Sequence, residues 1–119
     1  MALDARATLL SPAEAAALVD RGEAYLIDIR GDASRDEHGS VPDATVVDRT
    51  KLDRTFGHES AERLPVTSDP EMRVIVFCTS ERGSGPIAER IARLGYPNVS
   101  HIDGGFTAWK SAALPTDRR

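Results

Sequence analysis

The 119 residues suit a single domain, and 40% hydrophobic residues suffice for one core. Fifteen basic against 19 acidic side chains leave a net charge of −4, and no run of Lys or Arg is long enough to track a phosphate backbone, which argues against nucleic acid as a partner. Apolar stretches run to only a handful of residues, well short of the roughly twenty that a bilayer span needs, so no membrane partner is expected. Asp4 interrupts the place where a signal peptide would begin its apolar stretch, and the lone Cys78 cannot close an internal disulfide; both point to a cytoplasmic setting.

Residues up to Leu10 read as a loose lead-in or a short edge segment. Ser11-Pro12-Ala13-Glu14 is a capping box, with Ser11 placed to accept from the Glu14 amide, Glu14 to reach back, and Pro12 at the first helical position. The spacing predicts an Ala-rich helix from Pro12 to about Asp20, stopping near Gly22. Ala24 to Asp28 then forms a short apolar strand, buried on both faces and ending at Asp28-Ile29-Arg30. A helix followed by a buried strand predicts a parallel α/β sheet. Gly31 to Ala44 is polar, contains Gly39 and Pro42, and reads as a loop with room for one helical turn.

Ala44 to Asp48 gives a second strand. Between Lys51 and Pro70, Leu52, Phe56 and Leu64 anchor one or two short helices, limited by Gly57, Pro65 and Pro70. Arg73 to Phe77 is the clearest strand, and after it Ile87, Ala88, Ile91, Ala92 and Leu94 share one face of a helix that begins at about Pro86 and stops at Gly95. Val99 to Ile102 is another strand, Asp103-Gly104-Gly105 a turn, and Phe106 to Ala113 a final helix whose Phe106 and Trp109 are core residues. Leu114-Pro115 ends it, and Thr116 to Arg119 is a frayed tail.

The chemistry concentrates between Val74 and Pro86, where a strand delivers the only cysteine to the carboxyl edge of the sheet, the place where open α/β proteins bind ligands. Loop amides and the following helix N-terminus would stabilise a Cys78 thiolate. Arg82 adds positive charge for an anionic substrate, Thr79, Ser80 and Ser84 offer hydroxyl donors, and Gly83 and Gly85 permit close backbone approach. Glu81 opposes an anion unless it faces solvent or pairs with Arg82. The competing reading makes Cys78 a small core residue and the glycines turn formers. Asp28 and Arg30, at a neighbouring strand end, either brace or line the pocket or form a surface or inter-segment ion pair; Arg49 either approaches the pocket or is a solvated loop charge. His38, His58 and His101 show no ligand spacing with Cys78, so no metal site is expected.

These residues resemble a single-domain rhodanese over roughly residues 11–115 of one domain spanning 1–119. The most specific match is Asp103-Gly104-Gly105-Phe106-Thr107-Ala108-Trp109 followed by Leu114-Pro115. Asp28-Ile29-Arg30 is similar to the family's Asp-x-Arg strand end, and Gly39-Ser40-Val41-Pro42-Asp43-Ala44 to its Gly-His-Ile-Pro-Gly-Ala segment. The resemblance implies an α/β, rhodanese-like fold: a five-stranded, mainly parallel sheet with helices on both faces. It also implies sulfur transfer by a Cys78 persulfide, with Thr79, Ser80, Glu81, Arg82, Gly83 and Ser84 as the substrate loop and no cofactor beyond the covalent persulfide, while Asp28, Arg30 and Arg49 are candidates for pocket support by their position.

Implied partners are a donor such as thiosulfate and a thiol, cyanide or protein acceptor. Where family members that use thiosulfate commonly read Cys-x-x-Gly-x-Arg-Ser, this chain reads Cys78-Thr79-Ser80-Glu81-Arg82-Gly83-Ser84, with the arginine one place early. That departure motivates an alternative, a catalytically weak sulfur carrier or protein-binding module, for which Glu81→Gly with Gly83→Arg would raise turnover. A cysteine phosphatase would need Cys-x5-Arg, and Ser84 stands in the arginine's place.

Overall fold

The computed structural model describes residues 8–57 and 72–116. Thr8–Leu10 forms β1, and Ser11 caps α1 (Pro12–Asp20) through the expected capping box, with Pro12 in the first turn. The elements that follow are β2 (Ala24–Asp28), α2 (Asp32–His38), β3 (Ala44–Val46), a 3₁₀ turn at Arg49–Lys51, α3 (Leu52–Phe56), β4 (Arg73–Phe77), α4 (Glu81–Arg93), β5 (Val99–Ile102) and α5 (Gly105–Ser111). The strands make one five-stranded sheet in the order β1-β5-β4-β2-β3, with every pairing parallel. Residues up to 7, the segment 58–71 with the anchor Leu64 and His58, and the tail 117–119 lie outside the described residues.

Because successive strand side chains point to opposite faces, the sheet separates two apolar layers. Ile27, Val74, Val76 and Val99 face Leu52 and Phe56 of α3 and Ile87, Ala88 and Ile91 of α4. Leu26, Ile75, Phe77 and Ile102 face Ala15 of α1 and Phe106 and Trp109 of α5. Burial on both faces is what makes these strands read as continuous apolar runs. Among the described residues, no helix is long and apolar enough to cross a membrane.

Of the two readings of the lead-in, the short edge segment holds, because Thr8 to Leu10 pair with Ser100 to Ile102. Other boundaries differ from the sequence expectation. The loop after β2 holds a two-turn helix, stabilised by Asp32 in its first turn and by Arg35 and His38 in its last, as the helix dipole favours. Strand β3 ends at Val46 rather than Asp48, whose carboxylate accepts from the Thr50 amide at 2.8 Å and so starts the 3₁₀ turn. Helix α4 begins at Glu81 rather than Pro86, with Ser80 as its N-cap. Pro86 costs this helix one hydrogen bond. Close packing offsets that loss: Ser84 is fully buried and bonds His101, and a Cβ on Gly83 or Gly85 would touch Cys78 or His101.

Behind α4, Tyr96 is fully buried and donates its hydroxyl to the Phe56 carbonyl at 2.6 Å, with the two rings edge to face at 5.5 Å. Burial raises the phenol above its ordinary value, so its neutral form is favoured. This contribution is fully present below the unfolded-state value and is lost as pH rises through the higher folded-state value. Tyr96→Phe keeps the ring contact and strands the carbonyl; denaturant unfolding should show a loss of about 1 kcal/mol.

Candidate active site

The connections that leave β2 and β4 run in opposite directions, one toward β3 and the other toward β5. Adjacent parallel strands with diverging connections open a crevice at their carboxyl ends. Cys78 follows β4 directly at this crevice, and Ile29 and Arg30 follow β2 beside it. Period-two alternation from Val74 and Val76 turns the half-buried Cys78 toward the α4 side, while Phe77 turns to the other face.

Three backbone devices hold the cysteine. The N-terminus of α4 begins only three residues beyond it, so the positive end of the helix dipole faces the cysteine's end of the loop. On the opposite side, the N-terminus of α5 is fastened to the same loop: the Phe106 amide donates to the Cys78 carbonyl at 2.8 Å, and the Thr107 amide and hydroxyl donate to the Thr79 carbonyl at 3.3 and 3.2 Å. That approach requires Gly105, at φ +59, since a Cβ there would sit 2.7 Å from the carbonyl oxygens of Cys78 and Thr79. The third device is Gly83, whose missing side chain leaves room for the sulfur: a Cβ would lie 2.9 Å from Cys78 Sγ.

The positive charge nearest the sulfur comes from Arg49 rather than from the loop itself. Arg49 Nη2 donates to Cys78 Sγ at 3.0 Å and to the Ile29 carbonyl at 3.2 Å. Arg49 takes this direction because Asp48 caps the 3₁₀ turn in which Arg49 is the first residue. Arg82 is exposed on the first turn of α4, and among the described residues the only guanidinium hydrogen-bonded to the thiol is that of Arg49. The reading of Arg49 as a solvated loop charge is therefore corrected: it is half-buried against the sulfur.

Asp28 and Arg30 form neither a surface pair nor a link between distant segments. They pair with each other, 1% exposed each, with Arg30 Nη2 2.8 Å from Asp28 Oδ2. Arg30 also donates to the Gly39 carbonyl at 2.9 Å and stacks over Phe106, with Cζ 3.9 Å from the ring centroid. It thus ties the end of β2 to the same helix that holds Cys78. Thr79 and Ser80 are exposed, and the Ser80 hydroxyl makes no capping hydrogen bond. Ser84 is turned inward to His101 Nδ1 at 3.1 Å, and the side chain of Glu81 lies outside the described residues.

Arg49 carries the least sequence signal, and Gly105, though part of the closing motif, carries no sequence sign of its approach to the Cys78 loop. The only trace of the first was its place just past a strand end; the second stands in a Gly-Gly pair opening a helix. The position of Gly83 also changes the meaning of Gly83→Arg, because any side chain there crowds the Cys78 sulfur. Gly83→Ala should slow a reaction at Cys78 by at least about tenfold while leaving the unfolding midpoint nearly unchanged, since the sulfur can rotate away where a backbone atom could not.

A family model described as "Rhodanese-like domain" matches residues 11–112. The thiosulfate sulfurtransferase GlpE of Actinobacillus succinogenes is 30% identical over 110 residues, covering 92% of this chain and 90% of that protein. The uncharacterized protein slr1261 of Synechocystis is 36% identical over 42 residues, where the match spans 35% of this chain and only 24% of the relative. A solved structure from Rhodopseudomonas palustris, described as a protein of unknown function, RPA3614, and a possible tyrosine phosphatase, superposes with a TM-score of 0.83 at 26% identity, covering 93% of this chain and 85% of that one.

Proposed function

The chain belongs to the rhodanese-like domain family, and from that membership we propose that it transfers sulfane sulfur from thiosulfate or a similar donor to a thiophilic acceptor through a persulfide on Cys78. The observation that carries this reading is the guanidinium of Arg49 at 3.0 Å from Cys78 Sγ, at the sheet's ligand-binding edge.

In the first half-reaction, the Cys78 thiolate attacks the outer sulfur of thiosulfate. The Sγ–S bond forms, the donor's S–S bond breaks, and its electron pair leaves with sulfite. In the second, a thiolate or cyanide attacks the outer sulfur of the persulfide and the electron pair returns to Sγ. Negative charge rests on Sγ before and after the cycle, and Arg49 with the α4 N-terminus offsets it at both points. The fastening of the loop by α5 keeps Sγ in place while its charge changes. Aryl-phosphate hydrolysis is disfavoured, because the position where Cys-x5-Arg chemistry needs a guanidinium holds Ser84, buried against His101.

Incubation with thiosulfate should add one sulfur to Cys78, detected by mass spectrometry, and cyanide should remove it. Cys78→Ala should acquire none. Absence of an adduct with any sulfane donor overturns the proposal.

A further inference from the structure

At the carboxyl ends of β2 and β3 lies a pocket of about 360 Å³, whose lining reaches the thiol through Arg49 rather than through Cys78 itself. That volume falls within the range of roughly 300–1,000 Å³ typical of sites for small organic molecules, and it exceeds what thiosulfate or cyanide requires. Ile29, Val46 and Val47 give it an apolar wall, and Val46 is 52% exposed although it is a large hydrophobic residue.

The charged groups around the pocket divide into occupied and available. Arg30 is neutralised by Asp28, with only its buried Nη1 lacking a partner among the described residues, and Arg35 donates to Asp32 and to the Arg30 carbonyl. Arg49 spends Nη2 on Cys78 and Ile29, while its Nε and Nη1 have no hydrogen-bond partner among the described residues. Asp48 accepts from the Thr50 amide and hydroxyl through Oδ1 alone, which leaves Oδ2 available. The hydroxyl of Thr50, then its amide, hold the Asp48 carboxyl below its ordinary value, so it is ionised at neutral pH. Arg49 and Asp48, adjacent in sequence, therefore present open hydrogen-bonding positions of opposite charge to one pocket of mixed polar and apolar lining, and Arg49 also touches the sulfur.

We propose that this pocket holds the body of the acceptor, and that the acceptor is a zwitterionic thiol bearing both a carboxylate and an ammonium. The inference rests on the sulfurtransferase reading. A purely anionic ligand would meet Asp48, and a purely cationic one would meet Arg49; a ligand carrying both signs complements both. With its carboxylate on Arg49 and its ammonium on Asp48, the acceptor's thiolate attacks the outer sulfur of the Cys78 persulfide. A new S–S bond forms, the Sγ–S bond breaks, the electron pair stays on Sγ, and the acceptor leaves as its own hydropersulfide. No net oxidation or reduction occurs.

The test is single-turnover discharge of sulfur-loaded protein by four thiols, with rates normalised to thiolate concentration. Cysteine carries both charges, 3-mercaptopropionate only the carboxylate, cysteamine only the ammonium, and 2-mercaptoethanol neither. Cysteine should be at least tenfold faster than the other three. Asp48→Asn preserves the cap of the Arg49 turn and should reduce cysteine to about the rate of 3-mercaptopropionate. Equal rates for all four thiols, or a cysteine preference that survives Asp48→Asn, overturn the inference even where cyanide discharges the protein normally. Failure of Cys78 to load sulfur overturns the sulfurtransferase reading, and this inference with it.

Discussion

Arg49→Met is expected to slow sulfur loading of Cys78 by about a hundredfold, measured as the single-turnover rate with thiosulfate. The replacement keeps an unbranched stem and removes the donor that lies 3.0 Å from Sγ. A hydrogen bond to a charged group contributes about 1.5–3 kcal/mol, which corresponds to roughly ten- to 150-fold in rate when it acts on the reacting charge. Arg82→Met, on an exposed residue of the first turn of α4, should cost less than about threefold. The opposite ranking would return the anion-holding role to the arginine of the loop. Unfolding midpoints of both variants serve as the control for stability.

Gly105→Ala should be the most damaging single added methyl. Its Cβ would meet the carbonyl oxygens of Cys78 and Thr79 at 2.7 Å and Ser80 Cα at 2.8 Å, all backbone atoms that cannot rotate aside. The left-handed conformation at φ +59 adds a cost of about 1–2 kcal/mol for any residue with a Cβ. Loss of the hydrogen bond from the Phe106 amide to the Cys78 carbonyl adds about 1 kcal/mol. A total loss of about 2–4 kcal/mol is a large part of the ~5–15 kcal/mol that holds a domain folded. Denaturant unfolding measures it, and the same variant should load sulfur poorly because the cysteine loop has lost its fastening. Gly22→Ala is the matched comparison: φ is +71 there, with nothing within 4 Å, so only the conformational cost of about 1 kcal/mol is expected. Equal losses in the two variants would show that close approach at Gly105 is not what the loop depends on.

The elements that the sequence made plain are those whose cause is local. The capping box fixes the start of α1 at Pro12, and the unbroken apolar run Val74 to Phe77 identifies a strand buried on both faces. Phe106 and Trp109 at helical spacing mark the buried side of α5. The cysteine's position at a strand end marks the edge that holds the candidate site, because a parallel sheet presents its ligands there.

Helix α4 was misplaced for a reason of the opposite kind. Gly83, Ser84, Gly85 and Pro86 favour a loop by propensity, and their helix goes with close packing against Cys78, at the end of the preceding strand, and against His101, brought in by β5. The amides of the cradle therefore belong to a helix's first turn rather than to an open loop.

By itself the sequence determined the α/β class, the strand that carries Cys78 and the closing Asp103 to Trp109 segment, since each is set by spacing along the chain or by a compact motif. Tertiary structure alone decided which cation meets the sulfur and why Gly105 is glycine. Arg49 lies 29 residues from Cys78 and reaches it because β3 pairs with β2 and β2 with β4. Gly105 comes against Cys78 and Thr79 only once β5 is paired with β4 and α5 packs on the sheet. The physical reason is common to both: side-chain spacing encodes the face of an element, whereas an approach between distant segments is fixed only by which strands become neighbours.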